Sequence, residues 1–425
     1  MTATVVTPRP RLRGVARVPG DKSASHRALL LSALADGSSR LGGLSQGDDV
    51  RATRSIIEQL GATWRVEDDV LVVTGPAGGL LASSRALDCG NSGTTMRLVA
   101  GVVAGVSGSH ELVGDASLST RPMDRVAVPL RMMGAIVEGH GTRITAPLRI
   151  TGRALRGISY EVPVPSAQVK SAILLAGLSA VGDTVVHERL RTRTTTEVML
   201  ARAGVTVETV DVSAGRRVTL HPGRVRATEW RVPGDPSQSA FFAVLGAIHP
   251  DAEIEVASID DAPERIGFVH VLRRMGANVT LASDSLGVTL RASRSTLRAT
   301  TIESSEIPSV DEVPALTVAA AAAEGVTVFR SMAELRVKES DRLAGAVALA
   351  RSLGARSWAD GDDFFVDGVG DASRFASFTY AATLDHRMVM AAAIAGAAGH
   401  GCEIEDSETV STSFPSFFDE LAQLT

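Results

Sequence analysis

Seven short stretches of this chain place cations, hydroxyls or carboxylates together, most of them where an apolar helix is about to begin. In Pro19-Gly20-Asp21-Lys22-Ser23-Ala24-Ser25-His26-Arg27 the Pro-Gly pair makes a turn, and Ser23 or Ser25 can cap the helix formed by the apolar run from Ala28. Lys22, Ser23 and Arg27 then gather at a helix N-terminus, whose partial positive charge and unpaired N–H groups attract phosphate or carboxylate. Gly90-Asn91-Ser92-Gly93-Thr94 runs straight into a second apolar helix. Its amides can cradle an anion, and Gly93 lets a ligand approach the main chain, although the stretch matches neither the P-loop nor the dinucleotide pattern. Arg121 precedes a proline turn, while Ser166 and Gln168 precede another apolar helix with Lys170 in its first turn.

Further along, Asp311 and Glu312 stand at the mouth of an alanine-rich helix, and Lys338, Glu339, Asp341 and Arg342 fall within five positions. If that stretch is helical, Lys338 and Arg342 share a face, and Glu339 beside Lys338 is biased toward ionisation unless burial opposes it. Asp385, His386 and Arg387 open one more apolar helix. Each stretch taken alone also fits a capped surface helix with solvated charges. The coincidence decides more: polar or cationic helix openings recur along the whole chain, and two of its three lysines (Lys22, Lys170, Lys338, against 40 arginines) sit in them. Such openings suit a polyanion or two separate anions, with carboxylates supplying acid and base.

The elements that must carry these residues repeat. Glycines at 61, 134, 204, 276 and 354, spaced 70 to 78 residues apart, each follow an amphipathic stretch and precede β-branched runs. Each suits a helix C-cap in the left-handed conformation. A second repeat overlies the first: Arg17-Val-Pro-Gly-Asp-Lys-Ser-Ala-Ser matches Arg231-Val-Pro-Gly-Asp-Pro-Ser-Gln-Ser, an offset of about three small units. The expected organisation is two α/β domains of three units each, with hinges near residues 19 and 230 flanking a cleft. Residues 1–18 and 231–425 form the domain containing both termini, and 19–230 the inserted domain. The last small unit ends at the helix from Phe417 to Leu424, so residues 1–18 are expected to supply its missing strand.

Composition narrows the function classes. With 425 residues, 44% hydrophobic and 21% charged, the chain has the balance of a soluble globular protein of two or three domains. A formal net charge of −5 with no basic stripe argues against a nucleic-acid partner. Two cysteines, Cys89 and Cys402, form neither a disulfide framework nor a zinc motif, and Cys89 reads as a small buried hydrophobe. The N-terminal stretch lacks a signal-peptide core and no apolar run is long enough to cross a bilayer. A cytoplasmic protein with small-molecule partners, no metal and no membrane association is expected.

Taken in order, PGDKSASHRALL, GNSGTTMRL, STRPM, SAQVKSA, DEVPAL, LRVKESDR and LDHRM closely resemble the 5-enolpyruvylshikimate-3-phosphate synthase family of enolpyruvyl transferases over nearly the whole chain. The resemblance implies a two-domain fold in which each domain has three βαβαββ units about a hinged cleft. It implies a monomer that needs no cofactor and that moves the enolpyruvyl group of phosphoenolpyruvate to the 5-hydroxyl of shikimate 3-phosphate. It implies Lys22, Ser23, Arg27, Ser166, Gln168, Arg193, Asp311 and Lys338 as ligands of shikimate 3-phosphate. It implies Lys22, Gly93, Arg121, Gln168, Arg342 and Arg387 as ligands of phosphoenolpyruvate and, by the same contact at Gly93, of the inhibitor glyphosate. Asp311 is the implied base toward the hydroxyl and Glu339 the implied acid toward C3, with Lys22 able to share either task.

Four positions depart from the pattern: Thr194-Thr195 where many relatives have Asp-His, Ala167 for the second serine of an SSQ motif, and Thr412 where some members carry a lysine. Thr95 and Leu98 also differ from the Ala and Pro of typical glyphosate-sensitive loops. Two rivals remain. The same fold acting on UDP-N-acetylglucosamine uses a loop cysteine, which GDASLSTRPM lacks. A non-catalytic anion-binding relative would lack Asp311, Glu339 or Lys22, and all three are present.

Overall fold

The structure, a computed structural model, describes residues 3–425; the first two residues of the segment 1–18 lie outside the described residues. The chain divides into two compact units, Lys22–Val232 and the residues up to Asp21 together with Pro233–Thr425.

In the unit 22–232 the helices are α1 (Lys22–Leu34), α2 (Asp48–Gln59), α3 (Gly93–Val103), α4 (Asp124–Met133), α5 (Ala167–Gly177) and α6 (Thr195–Arg202). They alternate in kind. α1, α3 and α5 are apolar nearly all round and buried, whereas α2, α4 and α6 bury one side. α3 packs on α1 and α5, and its approach to α5 is close enough that a Cβ on Gly101 would run into the Ala172 carbonyl oxygen. Three four-stranded sheets surround these helices. Each has one parallel pair followed by two antiparallel ones, as in Leu87–Asp88, Gly108–Val113, Thr145–Gly152 and Ile136–His140.

The other unit repeats the plan with α7 (Pro236–Ile248), α8 (Gly267–Arg274), α9 (Val313–Ala322), α10 (Arg342–Ser352), α11 (His386–Ala398) and α12 (Phe417–Gln423). α7, α9 and α11 are buried along their whole lengths and pack on one another. The five helix-ending glycines at 61, 134, 204, 276 and 354 all have positive φ, between 82° and 115°. The C-cap reading of the sequence repeat therefore holds at every one of them.

Five of the six small units are βαβαββ, the last has only the three strands Thr4–Val6, Cys402–Glu405 and Phe378–Ala381, and the first strand of a unit is sometimes borrowed. Glu229–Arg231 completes the first sheet of the unit 22–232 by pairing parallel with Ser38–Gly42. The N-terminal segment serves two sheets where one was expected. Thr4–Val6 pairs antiparallel with Cys402–Glu405 in the last small unit, but Leu12–Ala16 pairs parallel with Ala252–Ile259 in the first sheet of its own domain half.

The two Val-Pro-Gly-Asp segments lie against each other. Asp21 N–H donates to the Pro233 carbonyl at 2.7 Å, Asp235 N–H donates to the Pro19 carbonyl at 2.9 Å, and Gly20 bridges Gly234. Buried Arg265 binds both aspartates, 2.6 Å from Asp21 Oδ2 and 2.9 Å from Asp235 Oδ1. Burial works against its charge, yet the surrounding carboxylates Asp21, Asp235, Glu312 and Asp260 outweigh that and raise its pKa. Arg265→Met strips the shared cation from two buried carboxylates and is expected to cost about 3–5 kcal/mol of stability. A urea unfolding midpoint unchanged from wild type would contradict this account of the two segments.

Candidate functional site

Within the unit 22–232 the helix openings singled out in the sequence converge. Lys22, the first residue of α1, sends its ammonium 3.0 Å to Asp49 Oδ2 in the first turn of α2. Arg27, one turn further, donates from Nη1 to the Ser23 carbonyl (2.8 Å), from Nη2 to Ser171 Oγ (2.7 Å) and from Nε to Thr196 Oγ1 (2.6 Å). Arg193, in the segment before α6, donates to Ser23 Oγ at 3.2 Å. The start of α1 thus gathers three cations (Lys22, Arg27, Arg193) and three hydroxyls (Ser23, Ser171, Thr196).

At the start of α3, Ser92 Oγ caps the helix by accepting from Thr95 N, and Gly93 is buried. Arg121 is fixed beside it by Nη2 donating to Asn91 Oδ1 at 2.9 Å. Ser166 Oγ caps α5 by accepting from Val169 N, and Gln168 links the two openings: its Oε1 accepts from Arg97 Nη1 and its Nε2 donates to Thr94 Oγ1, both at 2.8 Å. Arg97, within the Gly-rich motif, and Asp49, in an acidic helix start, are further members of the site; the motif and the acidic start mark the positions but not their partners, which tertiary packing sets. Ala167 is the first residue of α5, and Thr194 and Thr195 open α6.

His26, between Lys22 and Arg27 in sequence, is buried with Nδ1 2.7 Å from Thr53 Oγ1. Burial, reinforced by the Lys22 and Arg27 charges, holds its pKa well below the ordinary imidazole value. It is a neutral hydrogen-bonder at neutral pH. Cys89 is fully buried, and burial followed by Asp88 and Asp49 pushes its thiol pKa up, so it is no thiolate nucleophile. Burial likewise pushes Cys402 up to about 12.

In the other unit a second cluster centres on Asp311, just ahead of α9. Its Oδ1 lies 2.9 Å from Arg342 Nη1, 3.6 Å from Arg387 Nε and 4.0 Å from Lys338 Nζ. Arg342 is buried and also pairs with Glu339 and, through two nitrogens, with Asp385 at 2.8 and 3.3 Å. Burial opposes its charge, but Asp385, Glu339 and Asp311 together raise its pKa. Lys338 behaves oppositely: burial lowers its pKa, against the pull of Asp311. Asp385 caps α11 by accepting from Arg387 N, so one carboxylate positions both Arg342 and the helix start. It stood beside Arg387 in the sequence reading without a role.

The segment Lys338 to Asp341 is not helical. Lys338 ends a 3-10 turn, Asp341 caps α10, and Arg342 is the first residue of that helix. Lys338 and Arg342 therefore meet over Asp311 rather than along one helix face, and Glu339 pairs with Arg342. Thr412 closes a short 3-10 turn, Ser407–Thr412. Among the described residues no group of three or more His, Cys, Asp or Glu could hold a metal ion, and no helix is long and apolar enough to cross a membrane.

Two arrays of cations on helix openings, one holding Lys22 with Asp49 and the other Asp311 with Glu339, fit anionic substrates and proton transfer. A sequence profile described as EPSP synthase (3-phosphoshikimate 1-carboxyvinyltransferase) matches residues 6–421. The chain belongs to the EPSP synthase family. A relative named 3-phosphoshikimate 1-carboxyvinyltransferase from Chloroflexus aggregans is 42% identical over 439 residues, covering 100% of this chain and 99% of its own. One of the same name from an Anaeromyxobacter species is 45% identical, covering 96% and 95%. Among solved structures, an EPSP synthase from Acinetobacter baumannii superposes with a TM-score of 0.87 at 36% identity over 100% of this chain and 98% of that one. The enolpyruvyl transferase NikO from Streptomyces tendae, 18% identical with a TM-score of 0.77 over 99% and 96%, shares the fold. The two-domain enolpyruvyl transferase fold of this EPSP synthase family member is thereby established.

Proposed function

We propose that this chain is a 3-phosphoshikimate 1-carboxyvinyltransferase of the shikimate pathway, which leads to chorismate and the aromatic amino acids. The observation that carries the reading is chemical: within full-length likeness to that family, the unit 22–232 sets Lys22 beside Asp49 at a helix start, and the other unit sets Lys338, Arg342 and Arg387 around Asp311 with Arg342 also on Glu339. Cations suit two anionic substrates, and carboxylates suit the proton transfers between them.

On this reading Lys22, Ser23, Arg27, Ser166, Gln168, Arg193, Asp311 and Lys338 bind shikimate 3-phosphate, and Lys22, Gly93, Arg121, Gln168, Arg342 and Arg387 bind phosphoenolpyruvate. The 5-hydroxyl oxygen attacks C2 of the enolpyruvyl group and its proton passes to Asp311, while Glu339 gives a proton to C3. The tetrahedral intermediate then loses a proton from C3 and expels phosphate, restoring the double bond. No electrons change hands, so no redox partner enters. Lys22 shares the proton traffic through its pairing with Asp49. The partners are the two small substrates, and the protein works as a cytoplasmic monomer.

Phosphate release from phosphoenolpyruvate tests the reading when shikimate 3-phosphate and UDP-N-acetylglucosamine are offered separately. Turnover with the first alone supports it; turnover with the second rejects it. The buried thiol leads to a further expectation. Cys89→Ser keeps most of the wild-type turnover, and an inactive but folded variant would revive covalent catalysis.

A further inference from the structure

Lys170 is one of only three lysines in the chain, and its ammonium does not sit at the opening of α5, where the sequence suggested it would meet an anion. It is fully buried, 2.9 Å from Glu188 Oε2 and 2.6 Å from Glu197 Oε1, and both glutamates are buried too. Glu188 ends the strand Thr184–Glu188 and Glu197 lies in α6. The segment between them carries Arg193. Thr192, inside the segment, donates its hydroxyl to Glu188 Oε1.

The neighbouring pair makes a second tie. Ser171 Oγ, next to Lys170, lies 2.6 Å from Thr196 Oγ1, next to Glu197, and Arg27 donates to both oxygens. α5 and α6 are therefore stitched at two adjacent levels, and the Arg27 guanidinium fills the outer one. An apolar side chain would fill the core at 170 with no desolvation cost, whereas a buried ion group imposes direction and register.

We propose that Lys170, Glu188 and Glu197 form a buried positioning triad that fixes the segment 189–196 and so places Arg193 and Arg27 for the phosphate of shikimate 3-phosphate. The inference rests on the assignment of those two arginines to that substrate. It identifies positioning residues, since none of the three touches substrate. Because the triad braces the segment that carries Arg193, while Gln168, assigned to both substrates, is held by Arg97 and Thr94 instead, its loss should fall mainly on shikimate 3-phosphate. Gly93 and Arg121, assigned to phosphoenolpyruvate, lie on and beside α3.

Glu197→Ala is the informative variant, because it cuts the tie to α6 and leaves Lys170 and Glu188 as a balanced pair. The Michaelis constant for shikimate 3-phosphate is expected to rise about tenfold as the buried ion pair that holds α6 is lost. The constant for phosphoenolpyruvate should stay within about twofold. Glu197→Gln keeps an acceptor for the ammonium and should shift the same constant by only about threefold. Constants that rise together, or a shikimate 3-phosphate constant unchanged in both variants, overturn the proposal. Should the alanine variant not fold, the glutamine variant decides by the same selectivity. Wild-type turnover separates the failures: an unaltered chain that releases no phosphate strikes the proposed function, while normal wild-type turnover with unselective variants strikes the triad alone.

Discussion

Asp311→Asn and Glu339→Gln are each expected to lower turnover by about 100-fold or more, the range for a lost general acid or base, while leaving the fold intact. Both residues are accessible, with side chains 17% and 16% exposed, and both substitutions keep the size of the side chain. The fold should survive because Asp385 remains paired with Arg342 through two nitrogens when either partner is neutralised. Chemistry should not survive so well. Asparagine at 311 still accepts from Arg342 but takes no proton from a hydroxyl, and glutamine at 339 has none to give to C3. The loss should appear mainly in kcat if the groups act in the transition state, with smaller changes in the Michaelis constants. Near-normal turnover in both variants, with circular dichroism matching wild type, would remove the proposed proton roles.

The reach of the sequence here depended on whether a position was governed locally. The five glycines that end helices could be placed because the left-handed cap is a property of a few consecutive residues, and all five carry positive φ. Buried helices were legible as runs such as Val313 to Ala322, whose composition leaves no polar face. Long-range partners were not. Nothing near Lys22 announces Asp49, and the Lys22 to Asp49 pair forms only because α1 packs on α2. Lys170 shows the same limit from the other side. Its position in the first turn of α5 suggested an anion site, but Glu188 and Glu197, 18 and 27 residues on in the chain, claim the ammonium. Residues 1–18 were expected to supply only the strand missing from the last small unit, which Thr4–Val6 does; that Leu12–Ala16 also joins a second sheet is set by tertiary contact and leaves no mark in the repeat spacing.

Gly93→Ala is expected to weaken glyphosate, an inhibitor of the family, more than it weakens phosphoenolpyruvate. φ at Gly93 lies outside the left-handed region, so alanine meets no backbone strain and the contact alone sets the effect. A Cβ there would lie 2.8 Å from Arg97 Nη1 and 3.2 Å from Arg121 Nη1. Neither guanidinium can retreat without consequence: Arg97 donates to Gln168 and Arg121 to Asn91, and both Gln168 and Arg121 are assigned to phosphoenolpyruvate. The main chain offers no relief either, because Thr95 Oγ1 is bonded to Ser92 Oγ, Thr53 Oγ1 and the Asp49 carbonyl and holds the start of α3 in place. An overpacked contact of this kind costs roughly 1 to 3 kcal/mol. That is about 5 to 150-fold in the inhibition constant, and the compact substrate should lose less than the longer inhibitor. Inhibition constants and phosphoenolpyruvate Michaelis constants for both forms decide it, since equal inhibition of wild type and variant means that Gly93 does not line the inhibitor's site.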